Sequence, residues 1–64
     1  MPIKECRIKK GMTQIELAEK SGVHRTCIAR YEKGKLKPSV VSLQRIAAAL
    51  ECSVDDLLKP IERR

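Results

Sequence analysis

Six cations crowd the middle of the chain: Lys20, Arg25, Arg30, Lys33, Lys35 and Lys37, with Glu32 the only acid between Lys20 and Lys37. Six basic against one acidic residue leaves +5 in that window, nearly all of the +6 carried by the 64 residues. Guanidinium groups present planar forks of donors and ammonium groups act as point charges, so such a cluster suits a polyanionic partner, nucleic acid or an anionic lipid surface. The other reactive side chains lack a working arrangement. His24 and Cys27 lie three apart, but a zinc site needs four ligands and nucleophilic catalysis needs a pocket. The three cysteines, Cys6, Cys27 and Cys52, are odd in number with no C-x-x-C spacing; we expect reduced thiols acting as small apolar groups, with no disulfide framework. No metal, no cofactor and no enzymatic activity are expected.

The elements that must position those cations are helical. Each of the three glycines and three prolines falls where a helix should start or stop: Pro2, Gly11, Gly22, Gly34, Pro38 and Pro60. They divide residues 1–64 into five helices in a single domain, at about 3–10, 13–21, 24–33, 39–50 and 53–59. Thr13 and Glu16 form a T-x-x-E capping box flanked by Met12 and Leu17 as a hydrophobic staple; Ser39 can cap the fourth helix, and Ser53 with Asp56 the fifth. Leu43, Ile46, Ala47 and Leu50 give the fourth a one-sided apolar stripe. Folding a chain of this length buries only roughly 60% of its unfolded surface, leaving little room for an elaborate active site. No segment approaches the roughly 18 apolar residues of a membrane span and the charged N-terminus lacks a signal-peptide core, so a cytoplasmic location is expected, with no membrane partner.

Between the second and third helices only Ser21, Gly22 and Val23 remain, a short glycine-containing connection of the helix-turn-helix kind. Ala18 offers a small side chain at the close crossing, into which Ile28 can pack. At 100° per residue, Ile28 and Tyr31 share one face of the third helix. Thr26, Ala29, Arg30 and Lys33 share the other, with Arg25 at its margin. This narrow, basic face fits the major groove of double-stranded DNA, where arginine can bond O6 and N7 of guanine and threonine can meet a thymine methyl. Arg25, Thr26 and Arg30 are the base-reading candidates.

The stretch TQIELAEKSGVHRTCIARYEKGK resembles the helix-turn-helix of lambda-repressor-like, Cro/XRE-family regulators through Gln14, Leu17, Ala18, Gly22, Val23, Ile28, Glu32 and Gly34. The trailing P-S-x-x-S-L-x-x-I-A-x-A-L and S-V-D-D-L-L resemble that family's fourth and fifth helices. The resemblance implies an all-α, five-helix DNA-binding domain with its helix-turn-helix formed by helices two and three. It implies that Gln14 touches a phosphate and braces the recognition helix, that Lys33, Lys35 and Lys37 grip the backbone, and that Arg7 and Glu32 form a structural ion pair. His24 departs from the family's usual Ser, Thr or Asp cap; we expect a poorer cap, and a donor to a backbone phosphate when DNA is bound. Cys6 stands where the family usually has a core leucine.

These features lead us to expect a transcriptional regulator, a repressor acting by occlusion as a homodimer on a near-palindromic operator. Val54, Leu57, Leu58 and Ile61 are the expected dimer interface, since they exceed what so short a helix can hide. The alternative is a protein-interaction module, such as the DNA-binding antitoxin partner of a toxin. RNA is disfavoured because the only aromatic residue, Tyr31, leaves no base-stacking platform. Lys9, Lys10, Arg45, Lys59, Arg63 and Arg64 are expected only to solubilise.

Overall fold

A computed structural model describes residues 3–58. Among them the ordered elements are all helical: α1 (Ile3–Lys9), α2 (Gln14–Ser21), α3 (Arg25–Glu32), α4 (Val40–Leu50) and α5 (Val54–Leu58). The expected second, third and fourth helices begin one residue early because Thr13, His24 and Ser39 are caps with extended backbone just outside the helix proper, and the expected first and third run one residue further, to Lys10 and Lys33. The expected end of the fifth helix, at Lys59, lies outside the described residues.

Side-chain caps start the helices as their sequences dictate. Thr13 Oγ1 accepts from the Glu16 N–H at 3.1 Å while Glu16 Oε1 accepts from the Thr13 N–H at 2.9 Å, the reciprocal capping box. Ser39 Oγ accepts from the Ser42 N–H, and Ser53 and Asp56 form a second reciprocal box. Helix ends follow a common geometry, in which a residue with left-handed backbone turns the chain and two further N–H groups satisfy the last carbonyls. After α3 the turning residue is Gly34, with φ +73°, and Lys35 N–H donates to Arg30 O at 2.9 Å. After α4 it is Glu51, with φ 57°, a conformation in which a side chain costs energy. The expected end of the fourth helix, at residue 50, matches the structure, but with no glycine or asparagine there the left-handed turn at Glu51 had no sequence signal.

The core consists of Ile3, Leu17, Val23, Ile28, Tyr31, Leu43, Ile46, Ala47, Leu50 and Leu57. All four members of the α4 stripe are buried, and α4 packs against both α2 and α5 while α3 packs on α1 and α2. Burying an aliphatic side chain contributes about 1.5–3 kcal/mol, so this shared core determines how α2 and α3 are held relative to one another. Leu57 requires a correction: it is 0% exposed, its side chain spent on the core, and cannot serve as a dimer contact. Of the other residues expected there, Val54 is half-buried against the core, Leu58 is 53% exposed, and Ile61 lies outside the described residues.

Candidate nucleic-acid interface

The recognition element is built from its hidden side outward. Ile28 is fully buried and Tyr31 nearly so, fixing the rotation of α3 about its axis. With those two inward, Arg25, Thr26, Arg30 and Lys33 emerge exposed, Ala29 half-buried between them, and Lys35 and Lys37 continue the exposed charge past the end of the helix. Glu32, the one acid of the basic window, is turned the other way, its side chain only 4% exposed. It therefore removes little positive potential from the outer face. Among the described residues the ion pairs are Arg7–Glu32 and Lys10–Glu51, so none of the cations on this ridge is engaged in one. With its side chains a helix is about 10–12 Å across, matching the roughly 12 Å width of the major groove.

The turn before α3 depends on backbone geometry and one concealed hydroxyl. Gly22 has φ +72°, and a Cβ built there would meet only Arg45 Nη1 at 3.9 Å, so conformation rather than space demands glycine. Ser21 is buried and its Oγ accepts from the Val23 N–H at 3.2 Å, closing the turn. The sequence reading assigned no role to Ser21; a serine directly before the turn glycine was the available signal. Arg45, expected only to solubilise, stands beside this turn, a proximity created by α4 packing on α2 and therefore invisible in sequence spacing.

His24 caps α3 after all: its Nδ1 accepts from the Thr26 N–H at 3.1 Å. That bond requires an unprotonated Nδ1, so the neutral ring carries its proton on Nε2. The ring is exposed, and the capping bond leaves Nε2–H as a free donor at the entry to the recognition helix.

Behind the ridge, Arg7 and Glu32 join α1 to α3. Arg7 Nε donates to Glu32 Oε2 at 2.7 Å, Nη2 donates to Oε1 at 3.2 Å, and Nη1 donates to the Met12 carbonyl at 2.8 Å. Gln14 Nε2 donates to the same Glu32 Oε1 at 3.0 Å, tying the first residue of α2 to the recognition helix. Burial pushes the Glu32 carboxyl up, but the hydrogen bonds from Arg7 and Gln14, with the Arg7 charge, outweigh it and hold the group below the usual glutamate range. The bond to Glu32 pushes the Arg7 guanidinium further up, so the pair stays ionised at neutral pH.

An exposed cationic helix set by a short glycine turn against a second helix defines the class: a helix-turn-helix DNA-binding domain. Residues 3–57 match the Helix-turn-helix family model, and the chain belongs to that family, in its Cro/XRE type. It is 47% identical over 55 residues to an uncharacterized HTH-type transcriptional regulator of Archaeoglobus fulgidus, covering 86% of this chain and 79% of that protein. It is 39% identical over 57 residues to the HTH-type transcriptional regulator SinR of Bacillus subtilis, covering 88% of this chain and 51% of SinR. The fold is similar to the crystal structure of the restriction-modification controller protein C.AhdI from Aeromonas hydrophila. There the TM-score is 0.84 at 32% identity, over 88% of this chain and 85% of that one. The protein is a transcriptional regulator carrying a helix-turn-helix DNA-binding domain. No helix of the described residues is long and apolar enough to cross a membrane.

Proposed function

We propose that the chain is a sequence-specific repressor that binds double-stranded DNA as a homodimer and acts by occluding a promoter in the cytoplasm. The observation that carries this reading is the outward set of Arg25, Thr26, Arg30 and Lys33 on a helix anchored by Ile28 and Tyr31. Arg25, Thr26 and Arg30 read base edges. His24 Nε2–H, Lys33, Lys35 and Lys37 hold phosphates, which fix register and orientation. Gln14 acts chiefly as a brace, because its Nε2 already donates to Glu32; a remaining N–H of that amide is available to a phosphate.

One α3 offers few base contacts, so useful affinity requires two copies related by a two-fold axis, their recognition helices about 34 Å apart on successive major grooves. The dimer surface centres on Leu58 and Val54 of α5, extended by Leu36 and Pro38, which line a cleft with Leu58 and Tyr31. Leu36 is 41% exposed and Leu58 53%, an apolar pair at the mouth of that cleft. No catalytic step is assigned to any side chain.

Selection of bound duplexes from a random pool at two salt concentrations tests the reading. The expected product is a two-fold-symmetric motif, with affinity falling as roughly 0.9 log units per phosphate contact for each log unit of salt. A pool that stays random, or binding indifferent to salt, overturns it and favours a protein-interaction module.

A further inference from the structure

Ser21, the last residue of α2, is polar yet only 6% exposed. A hydroxyl withdrawn from water is costly unless it is hydrogen-bonded, and this one serves the backbone two residues ahead, Oγ accepting from the Val23 N–H at 3.2 Å. Val23 is itself buried, a member of the core. On the other side of the turn the Gly22 N–H donates to the Ala18 carbonyl at 2.9 Å, so both peptide groups flanking Gly22 are held, one by the end of α2 and one by a side chain. Only His24 stands between Val23 and α3, and its Nδ1 accepts from the Thr26 N–H at 3.1 Å. Two side chains, each acting on the amide two residues ahead of it, thus fix the path from the end of α2 into the first turn of α3.

We propose that Ser21 is a positioning residue for sequence reading: by holding the Val23 amide, its buried hydroxyl sets the direction in which α3 leaves the turn and so the aim of Arg25 and Thr26 at base edges. The inference rests on α3 being the base-reading helix. Ser21 itself touches no DNA. Without the hydroxyl, the Val23 N–H is left in the core with no acceptor, a costly state that the turn relieves by moving. Gly22 has the widest choice of backbone angles in that turn, so it yields first and α3 tilts with it. A tilt acts unequally on the two kinds of contact. Hydrogen bonds to base edges weaken steeply once bent, and a two-pronged arginine contact needs two of them at once. Lysine ammonium groups on flexible stems still follow a phosphate, so charge attraction survives where discrimination does not.

Titration of the full chain and three variants with the duplex recovered by selection, and with an unrelated duplex of equal length at the same salt, tests this. Ser21→Ala should lower the preference for the selected duplex about tenfold, while affinity for the unrelated duplex stays within about twofold. Ser21→Thr, which keeps an Oγ, should stay within about threefold of the unsubstituted chain. Leu50→Val, which trims a buried side chain at the end of α4, should lower Tm and leave the preference unchanged, separating aim from stability. Equal losses on both duplexes in Ser21→Ala, an undiminished preference there, or the same loss in Ser21→Thr or Leu50→Val overturns the role of Ser21 and leaves α3 as the reading helix. An unsubstituted chain that does not prefer its selected duplex overturns both. Amide hydrogen exchange on the unsubstituted chain needs no variant to fold: the Val23 amide should be protected, and exchange at the rate of an open chain removes the bond on which the inference stands.

Discussion

At the scale of single residues, the exposed side chains divide by what they can distinguish. Arg25 is exposed in the first turn of α3 and is assigned to a base edge, whereas Lys35 lies beyond the helix end and carries charge without direction. Arg25→Ala should cost about 1–3 kcal/mol of binding and relax preference at one base pair; Lys35→Ala should weaken all duplexes alike and lower the salt slope by about 1. Titration of matched and singly changed duplexes checks this, and equal sequence-independent losses from the two variants contradict the assigned roles. His24 serves twice, through Nδ1 toward its own helix and Nε2 toward the outside. His24→Ala should destabilise the fold by about 1 kcal/mol in urea unfolding, whereas His24→Ser should keep the cap and weaken only DNA binding. The expectation was a poorer cap, and the structure shows the capping bond itself in place, with the ring nitrogen accepting where a hydroxyl oxygen usually does.

At the scale of elements, α3 is gripped from behind by a pair that α1 supplies. Arg7 and Glu32 are 12% and 4% exposed, so removing one charge strands the other in a poorly solvated place. Glu32→Gln should cost about 3 kcal/mol, while the double change Arg7→Met with Glu32→Leu should lie closer to the native stability than either single change, as a double-mutant cycle by urea unfolding would show. Because the Glu32 carboxyl is held below its usual range, its contribution is complete above that range and is lost as pH falls through the lower value reached in the fold. Glu16 and Glu51 are lowered for similar reasons, so Glu32→Gln should reduce the acid-side loss of stability without abolishing it. The end of α4 offers the opposite opportunity. Glu51 occupies left-handed backbone where glycine is at ease, and Glu51→Gly should raise Tm by about 3–6 °C in a thermal melt.

At the scale of the whole molecule, the proposed dimer surface is what remains after the core has taken its share of α5. Leu57 is withdrawn and Leu58 is left outside, so Leu58→Glu should leave the monomer folded, abolish self-association in sedimentation, and lower affinity for a two-half-site duplex at least about tenfold while sparing a single half-site. A folded variant that still dimerises would remove α5 from the interface. Much of this architecture was legible in the sequence. The T-x-x-E box, the glycines after α1, α2 and α3, the Leu43–Leu50 stripe and the inward pair Ile28 and Tyr31 are local patterns, and local hydrogen bonding and helical periodicity operate within a few residues. They sufficed to find five helices and the exposed face of α3. Whether Leu57 or Leu58 turned inward, which group on α3 Gln14 would grip and that Arg45 would stand beside Gly22 were decided only when α4 packed on α2 and α1 on α3. Those contacts join residues far apart in the chain, and their partners are selected by the packing of side chains into one shared core rather than by any spacing along the sequence.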